Sequence, residues 1–321
     1  MTGDRRPLLL IANPSSGGKP GAPAPLDADE DQLKPEALRD ALVERGLRVE
    51  LHVLGEGDDV RDLARSAVER GCDVVVAGGD GTVAPAADAV RETDATLGIL
   101  ATGSYNNIAR GTGVPATLQA ALDAIAGGEV TVIDVGLAWH PGPDERPDAD
   151  PPQDATAFFE AAGVGLDAAA FGVVQVHERY GLWRATRTAW RALRRRRTPL
   201  RLVIDGVTVR TLSPAVTVCN GPYHGAGFAL APDADPTDGL LDLVVFRRMS
   251  RLDVIGHFVS VARRRPRREP RVRVRRVRRV VIAGARRVLP AHADGVSLGT
   301  TPITIAVRPA ALRVFTAPRR G

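Results

Sequence analysis

The chain has 321 residues, which is enough for two ordinary domains that each build a hydrophobic core. Its two cysteines, Cys72 and Cys219, lie far apart without the spacing of metal ligands, which argues against a disulfide framework or zinc site and favours a reducing cytosol. Residues 1–134 carry 12 Lys and Arg against 22 Asp and Glu, whereas residues 135–321 carry 31 against 16, so the two halves are expected to meet different partners.

The first half of the chain alternates predicted strands and helices. Short β-branched runs without alternation predict buried strands, and apolar residues at helical spacing predict the helices between them. In chain order the predicted elements are strand Leu8–Ala12, helix Pro35–Arg45, strand Leu47–Leu54, helix Asp58–Arg70, strand Cys72–Ala77, strand Leu97–Leu100 and helix Leu118–Ala126. This βαβ rhythm predicts an α/β domain with a parallel sheet.

The second half is dominated by short β-like segments. They are Ala157–Ala161, Leu200–Ile204, Thr208–Thr211, Ala215–Asn220, Leu240–Phe246, Val277–Ile282, Ile303–Val307 and Leu312–Thr316. Dense strands with few helices predict an antiparallel sandwich or barrel. Gly17–Asp31 and Pro141–Asp154 are rich in Gly, Pro and Asp and are predicted to be loops.

A glycine-rich turn follows the strand Cys72–Ala77. The turn is Gly78-Gly79-Asp80-Gly81-Thr82, and Pro85 fits the first turn of the helix behind it. One interpretation is an ordinary strand-to-helix turn with Thr82 as the helix N-cap. The other is an anion site, because glycine allows close approach to the backbone and a helix N-terminus offers free N–H groups.

Two similar loops follow other predicted parallel strands. Asn13-Pro14-Ser15-Ser16-Gly17 follows the first strand, and Gly103-Ser104-Tyr105-Asn106-Asn107 follows Leu97–Leu100. Carboxyl ends of parallel strands share one sheet edge, where open α/β folds bind ligands, and small polar residues there suit polyphosphate. None of the loops is a P-loop, and Gly163–Ala168 lacks the βαβ unit of a dinucleotide site.

The ordered series of these motifs resembles the diacylglycerol kinase catalytic domain, a family that includes bacterial lipid kinases and sphingosine kinases. The resemblance continues through Ile133–Gly136, Ala161–Ala168, Asn220–Phe246 and His292–Gly295, and so covers nearly the whole chain in order. It implies an α/β nucleotide domain at 1–134, completed by a returning final strand at 303–321, and a β-rich lipid-substrate domain at 135–302.

The resemblance also implies site residues and cofactors, namely ATP and Mg²⁺. The implied nucleotide positions are Asn13, Pro14, Ser15, Ser16, Gly17, Gly78, Gly79, Asp80, Gly81, Thr82, Gly103, Ser104 and Asn106. Asp80 matches the family's acidic residue that acts on Mg²⁺ directly or through water. A structural Mg²⁺ site is implied at Asp235, Asp238 and the Leu240 carbonyl, with an Asp-Gly turn as the alternative.

The proton-accepting element of the family departs from its pattern here. The family has Asp-Gly-Glu late in the chain, and this sequence has Asp294-Gly295-Val296. Asp294 is therefore the predicted base, with Val296 where the family has glutamate. A second departure is Asn107, where many members have aspartate.

Two arginine-rich segments in the basic half suit a membrane surface. Gly181–Arg197 fits an amphipathic helix that carries Trp183 and Trp190, and Arg263–Arg279 includes a strand-like alternation of Val and Arg. The alternative for both is a packed element with a solvated face. No nucleic-acid-binding signature is present, so an anionic membrane is the expected polyanionic partner.

The sequence therefore predicts a cytoplasmic, peripherally membrane-associated lipid kinase of phospholipid metabolism, without a signal peptide or transmembrane helix. Its expected substrate is diacylglycerol or a related lipid, and a homodimer is left open. Two alternatives remain: a soluble kinase resembling NAD kinase, which shares the Gly-Gly-Asp-Gly turn, and a catalytically weak nucleotide- or lipid-binding protein, which Val296 suggests.

Overall fold

The computed structural model describes residues 5–16, 27–142, 146, 149–166, 198–262 and 269–317. The predicted amphipathic helix Gly181–Arg197 lies outside the described residues, as do Gly17 and residues 263–268 of the second arginine-rich segment. The chain forms two compact units, one of Met1–Asp134 with Ala310–Gly321 and one of Val135–Pro309.

The first unit is an α/β unit built on a parallel sheet, as the sequence predicts. Its elements are β1 Leu8–Ala12, α1 Pro35–Glu44, β2 Val49–Val53, α2 Val60–Glu69, β3 Asp73–Gly78, α3 Asp80–Val90, β4 Thr96–Ala101, α4 Asn107–Thr112 and α5 Leu118–Gly127. The strand order is β2-β1-β3-β4, with all three pairings parallel. The residues of β1, β3 and β4 are all buried, which explains their unbroken apolar runs.

Helix α3 begins earlier than its sequence suggests. Gly79 is the N-cap, and both Thr82 N and Val83 N donate to the Gly79 carbonyl at 2.8 and 2.9 Å. The expectation of Thr82 as N-cap is therefore wrong, and Pro85 lies inside the helix rather than in its first turn. Asp80 and Gly81 become the first helical residues because the chain turns at Gly79, directly after the strand.

The second unit is an antiparallel β-sandwich, again as predicted. The chain enters it through β5 Val130–Trp139 and continues with β6 Thr156–Phe158, β7 Ala161–Gly165, β8 Thr198–Ile204, β9 Val207–Ser213, β10 Ala215–Cys219, β11 Tyr223–His224, β12 Phe228–Ala229, β13 Leu241–Phe246, α6 Arg251–Ala262, β14 Val272–Val277, β15 Arg279–Gly284, β16 Pro290–Ala293, β17 Val296–Thr300 and β18 Ile303–Phe315. One sheet has the order β14-β13-β10-β7-β16-β17. The second contains β8, β9, β15 and the start of β18.

A single apolar core fills the space between these two sheets. It joins Val164, Val216 and Leu243 of one sheet to Leu202 and Ile282 of the other, and all five side chains are buried. A smaller cluster on the opposite face of the six-stranded sheet includes Phe246 of β13 and Val254 of α6. The six-stranded sheet is therefore covered by apolar residues on both faces.

Four predicted strands are divided or merged in the structure. Ala157–Ala161 divides into β6 and β7, and Val277–Ile282 divides between β14 and β15, which belong to different sheets. Ile303–Val307 and Leu312–Thr316 are instead one strand, β18. Its first part pairs antiparallel with β15, and its last part pairs parallel with β4 of the first unit.

Candidate active site

The three polar loops of the first unit follow adjacent parallel strands. They leave β1, β3 and β4, whose register pairs Ala12 with Ala77 and Gly78 with Ala101. The loops therefore share the carboxyl edge of the sheet, as the sequence predicts. This edge is the usual ligand position in open α/β folds.

Hydrogen bonds tie these loops to one another. Asn13 Nδ2 donates to Thr82 Oγ1 at 2.9 Å, joining the loop after β1 to the first turn of α3, which follows β3. The hydroxyls of Ser16 and Thr102 lie 2.6 Å apart, joining the loops after β1 and β4. Thr102 was not predicted as a site residue, although a hydroxyl directly after a strand was a signal that could have found it.

Two glycines explain how the loops after β3 and β4 come so close. A Cβ on Gly79 would lie 3.0 Å from the Gly103 Cα, and a Cβ on Gly103 would overlap the Gly79 Cα. The absence of a side chain at each glycine therefore allows the two loops to approach each other. A Cβ on Gly81 would meet nothing within 4 Å, so Gly81 faces open space at the first turn of α3.

Asp80 connects two helices at this edge. Its carboxylate accepts hydrogen bonds from Asn107 N at 2.9 Å and Ile108 N at 3.0 Å, at the start of α4. Burial raises the pKa of Asp80, while these N–H donors and the positive charge of Arg110 act in the opposite direction. The carboxylate holds α4 in place, and its role toward Mg²⁺ stays a prediction.

The other predicted nucleotide residues differ in their surroundings. Asn106 adopts a left-handed conformation, with φ 52°, and its side chain bonds to the backbone of Ala101 and Gly103. It therefore shapes its own loop. Pro14 and Ser15 are exposed, and Ser104 is half-buried.

In the second unit, Asp294 lies in a tight turn between β16 and β17. Its φ is 43° and that of Gly295 is 79°, the conformation that Asp-Gly favours in a two-residue hairpin. The Asp294 carboxylate accepts hydrogen bonds from three backbone N–H groups, those of Phe159 at 2.6 Å and of Glu160 and Ala161 at 3.0 Å. Burial raises the pKa of Asp294, and these bonds and His224 oppose that shift. Val296 is 60% exposed.

A second buried carboxylate belongs to Glu160, whose backbone N–H donates to Asp294. Glu160 Oε2 accepts a hydrogen bond from Gly225 N at 3.0 Å and lies 3.9 Å from His224 Nδ1. The rings of His224 and His292 are stacked, with their centroids 5.7 Å apart. Glu160 was not predicted as a site residue, although a charge inside an apolar run was a usable signal.

The predicted metal loop is a hydrogen-bonded turn. Asp235 Oδ1 accepts from Thr237 N at 2.9 Å and Thr237 Oγ1 at 2.7 Å, and Asp238 Oδ1 accepts from Leu240 N at 3.0 Å. Asp238 also lies 3.6 Å from Arg276 Nη1. Within the ranges that the structure describes, no three His, Cys, Asp or Glu side chains form a ready-made metal site. The geometry is that of an Asp-Gly turn, and the Mg²⁺ site at Asp235, Asp238 and Leu240 stays a prediction.

The helices of the described residues include none that is long and apolar enough to cross a bilayer.

Comparison with known proteins places the chain in a family. Residues 7–138 match the Diacylglycerol kinase catalytic domain, and residues 161–316 match the YegS C-terminal NAD kinase beta sandwich-like domain. A diacylglycerol kinase of Mycobacterium tuberculosis is 30% identical over 290 residues, covering 87% of this chain and 88% of the relative. A probable YegS-like lipid kinase of Enterobacter sp. (strain 638) is 29% identical over 233 residues, covering 66% and 70%.

A solved structure shows the same fold. The crystal structure of a diacylglycerol kinase from Bacillus anthracis superposes with a TM-score of 0.71 at 19% identity, covering 98% of this chain and 97% of that one. The two matched segments follow the same order as the α/β unit and the sandwich. The chain therefore belongs to the diacylglycerol kinase family of lipid kinases.

Proposed function

We propose that this lipid kinase uses ATP and transfers its γ-phosphate to the hydroxyl of diacylglycerol or a related lipid. The observation that carries the proposal is the set of three loops joined by Asn13–Thr82 and Ser16–Thr102 at one sheet edge. Phosphoryl transfer needs positioning and charge neutralisation more than covalent chemistry. Small hydroxyl, amide and backbone donors on fixed loops are suited to that task.

The polar groups at this sheet edge suit a nucleoside triphosphate. The N–H groups of Asp80 and Gly81, the first two residues of α3, have no acceptor within the helix, and Gly81 has no side chain and faces open space. Asn13, Ser16, Thr82 and Ser104 supply further polar groups, and Asp80 supplies a carboxylate. Mg²⁺, when bound with the nucleotide, would neutralise phosphate charge, taking ligands from one or two carboxylates, the phosphates and water.

We assign the nucleotide to the unit formed by 1–134 and the end of the chain, and the lipid to the sandwich unit. Asp294 is the carboxylate that the family pattern assigns to the lipid hydroxyl. The relatives named diacylglycerol kinase support a glycerolipid substrate. The match of the sandwich to the YegS C-terminal domain favours the lipid kinases over a soluble enzyme resembling NAD kinase.

We further propose that the protein works at an anionic membrane surface in the cytoplasm. The edge strand β14 supports this, because Arg273, Val274 and Arg275 are all exposed on it. Arginine side chains attract anionic headgroups, and each contributes on the order of 1 kcal/mol near the surface.

The test is phosphorylation of defined lipids with labelled ATP and Mg²⁺. The panel contains diacylglycerol, a sphingoid base, an isoprenoid alcohol and, as the soluble acceptor, NAD. We expect labelled phosphatidic acid from diacylglycerol in anionic vesicles and no labelled NADP. Label in NADP would favour the soluble kinase, and no label in any acceptor would favour the catalytically weak binding protein.

Asp80→Asn is the matched inactive variant. Asparagine has one acceptor oxygen for the two N–H groups that Asp80 binds, so about 1 kcal/mol of stability is lost. Loss of the negative charge beside the nucleotide should lower kcat by orders of magnitude. Lipid phosphorylation and the thermal midpoint are measured together, and near-normal turnover would contradict the role of Asp80.

A further inference from the structure

We infer that Glu160 accepts the proton of the lipid hydroxyl, and that Asp294 is a positioning residue that holds Glu160. The inference rests on the proposed phosphoryl transfer to a lipid. It moves the assignment of the proton acceptor from the carboxylate in the Asp-Gly turn to that of Glu160.

The hydrogen bonds of Asp294 indicate a structural task. An ionised carboxylate has about four lone-pair positions, and the N–H groups of residues 159–161 occupy three of them. Asp294 N also donates to the Ala161 carbonyl at 3.0 Å, so the contact is reciprocal. Proton uptake by Asp294 would disturb this arrangement. Its geometry instead fixes the backbone of the segment that carries Glu160.

Glu160 is the middle residue of that fixed segment, between β6 and β7. Its side chain is 10% exposed and bonds to Gly225 N at the turn between β11 and β12. Burying a carboxylate costs free energy, and a neutral glutamine could equally accept that hydrogen bond. A carboxyl group in such a position, 3.9 Å from a histidine nitrogen, is a candidate for proton transfer.

The surroundings of Glu160 support this chemistry. His224 Nδ1 lies 3.9 Å from Oε2, and the ring of His292 stacks on that of His224. Where the family has a glutamate, this chain has Val296, which is 60% exposed. The turn therefore lacks the second carboxylate of the family pattern. Glu160 supplies a second carboxylate from the connection between β6 and β7, and its backbone N–H donates to Asp294.

The proposed step balances without an additional reactant. The lipid oxygen forms a bond to the γ-phosphorus of ATP, and the bond from that phosphorus to the β–γ bridging oxygen breaks. ADP leaves with the electron pair of the broken bond. The hydroxyl proton passes to the Glu160 carboxylate and from there to water.

The experiment compares Glu160→Gln, Asp294→Asn and the double variant in the full chain. Glutamine still accepts from Gly225 N, so we expect an unchanged thermal midpoint and unchanged ATP affinity, with kcat about 10²–10⁴-fold lower. Asp294→Asn should lower both kcat and the thermal midpoint. The double variant should show kcat no lower than Glu160→Gln, because Asp294 acts through Glu160.

Chemical rescue separates a proton acceptor from a structural residue. Glu160→Ala should regain activity with added formate, and Asp294→Ala should not. Asp205→Asn is the matched control, because Asp205 also begins an Asp-Gly hairpin and its Oδ1 accepts from Arg278 N and Arg279 N. We expect this control to lose stability without a specific loss of kcat.

The outcomes are distinguishable. If the parent protein phosphorylates lipid and Glu160→Gln retains kcat within about threefold, the inference is wrong and the proposed function stands. Formate rescue of Asp294→Ala in place of Glu160→Ala would return the role of base to Asp294. If the parent phosphorylates no lipid, the proposed function fails and the inference fails with it.

Discussion

At the scale of single residues, glycines in the first unit have two separate tasks. Gly79 and Gly103 allow two loops to touch, whereas Gly81 leaves open space beside a helix N-terminus. The sequence alone cannot separate these tasks, because all three glycines lie in motifs of the same family. The structure separates them by what a Cβ would meet.

This difference predicts opposite effects of two alanine substitutions. Gly103→Ala forces the loop away from the Gly79 backbone, so we expect the free energy of unfolding to fall by about 1–3 kcal/mol. We expect ATP binding to be lost as well. Gly81→Ala meets no atom and raises helix propensity, so stability should stay equal or rise by up to about 1 kcal/mol. ATP affinity should nevertheless fall, because the methyl group occupies the space proposed for phosphate.

Thermal unfolding and ATP binding are measured on the same preparations of both variants. Full ATP affinity in Gly81→Ala would show that the nucleotide does not approach this turn. Unchanged stability in Gly103→Ala would show that the contact between the two loops is dispensable.

At the scale of elements, local patterns predicted type and order well and boundaries less well. The parallel strands β1, β3 and β4 are buried apolar runs, and their own sequences reveal them. The division of the predicted strand Val277–Ile282 into two strands could not be predicted from its local sequence. At this point the chain passes from one sheet to the other, and the carboxylate of Asp205, more than 70 residues earlier in the sequence, accepts hydrogen bonds from Arg278 N and Arg279 N.

The site shows the same limit. The three loops were predictable, because parallel strands bring their carboxyl ends together. The partnership of Glu160 with Asp294 was not, because 134 residues separate them and only tertiary packing joins them. The hairpin at Asp294-Gly295 carried a local signal, since Asp-Gly favours positive φ at both turn positions.

The edge strand β14 allows a test of membrane contact. Arg273 and Arg275 are exposed, whereas Arg276 lies near Asp238, so the double variant Arg273→Gln/Arg275→Gln removes two charges from the edge strand. We expect weaker binding to anionic vesicles, by about 30-fold if each of the two arginines contributes on the order of 1 kcal/mol, and a smaller difference at high salt.

The matched control is Arg65→Gln/Arg70→Gln at α2, which removes the same charge from exposed positions of the first unit. Vesicle co-sedimentation is compared between the two double variants. Equal losses would mean that net charge alone governs binding. No loss in the β14 variant would mean that its arginines only protect a sheet edge.

At the scale of the whole molecule, β18 gives the last residues of the chain a role in the first unit. Leu312 and Val314 are buried there, and Thr316 N donates to the Glu129 carbonyl at 3.0 Å. Each unit also contains carboxylates whose burial raises the pKa, among them Asp73 in the first and Asp242 in the second. These two buried carboxylates, one in each unit, therefore contribute to the pH dependence of stability with the same sign.

That sign can be derived from proton binding. An acid with a raised pKa in the folded state binds more protons folded than unfolded, between its unfolded pKa and its folded one. Its contribution to stability is complete below the unfolded value, about 3.9 for Asp, and is lost as pH rises through the folded value. For Asp73 and Asp242, stability should therefore fall as pH rises from about 4. Asp58, Asp253 and Glu269 have lowered pKa values and act in the opposite direction.

The double variant Asp73→Asn/Asp242→Asn isolates the effect of the two buried carboxylates. The exposed acids are present in both the parent and the variant, so their effects cancel when the stabilities of the two are compared. An asparagine at position 73 keeps an acceptor for Thr96 N, which donates to Asp73 Oδ1 at 2.8 Å. Thermal midpoints of parent and variant are measured from pH 4 to 8 in the presence of a chelator. The variant should match the parent near pH 4 and become more stable than the parent as pH rises, because asparagine has no charge to bury. A difference that is independent of pH, or that favours the parent at neutral pH, would mean that both carboxylates are stabilised by their neighbours as anions.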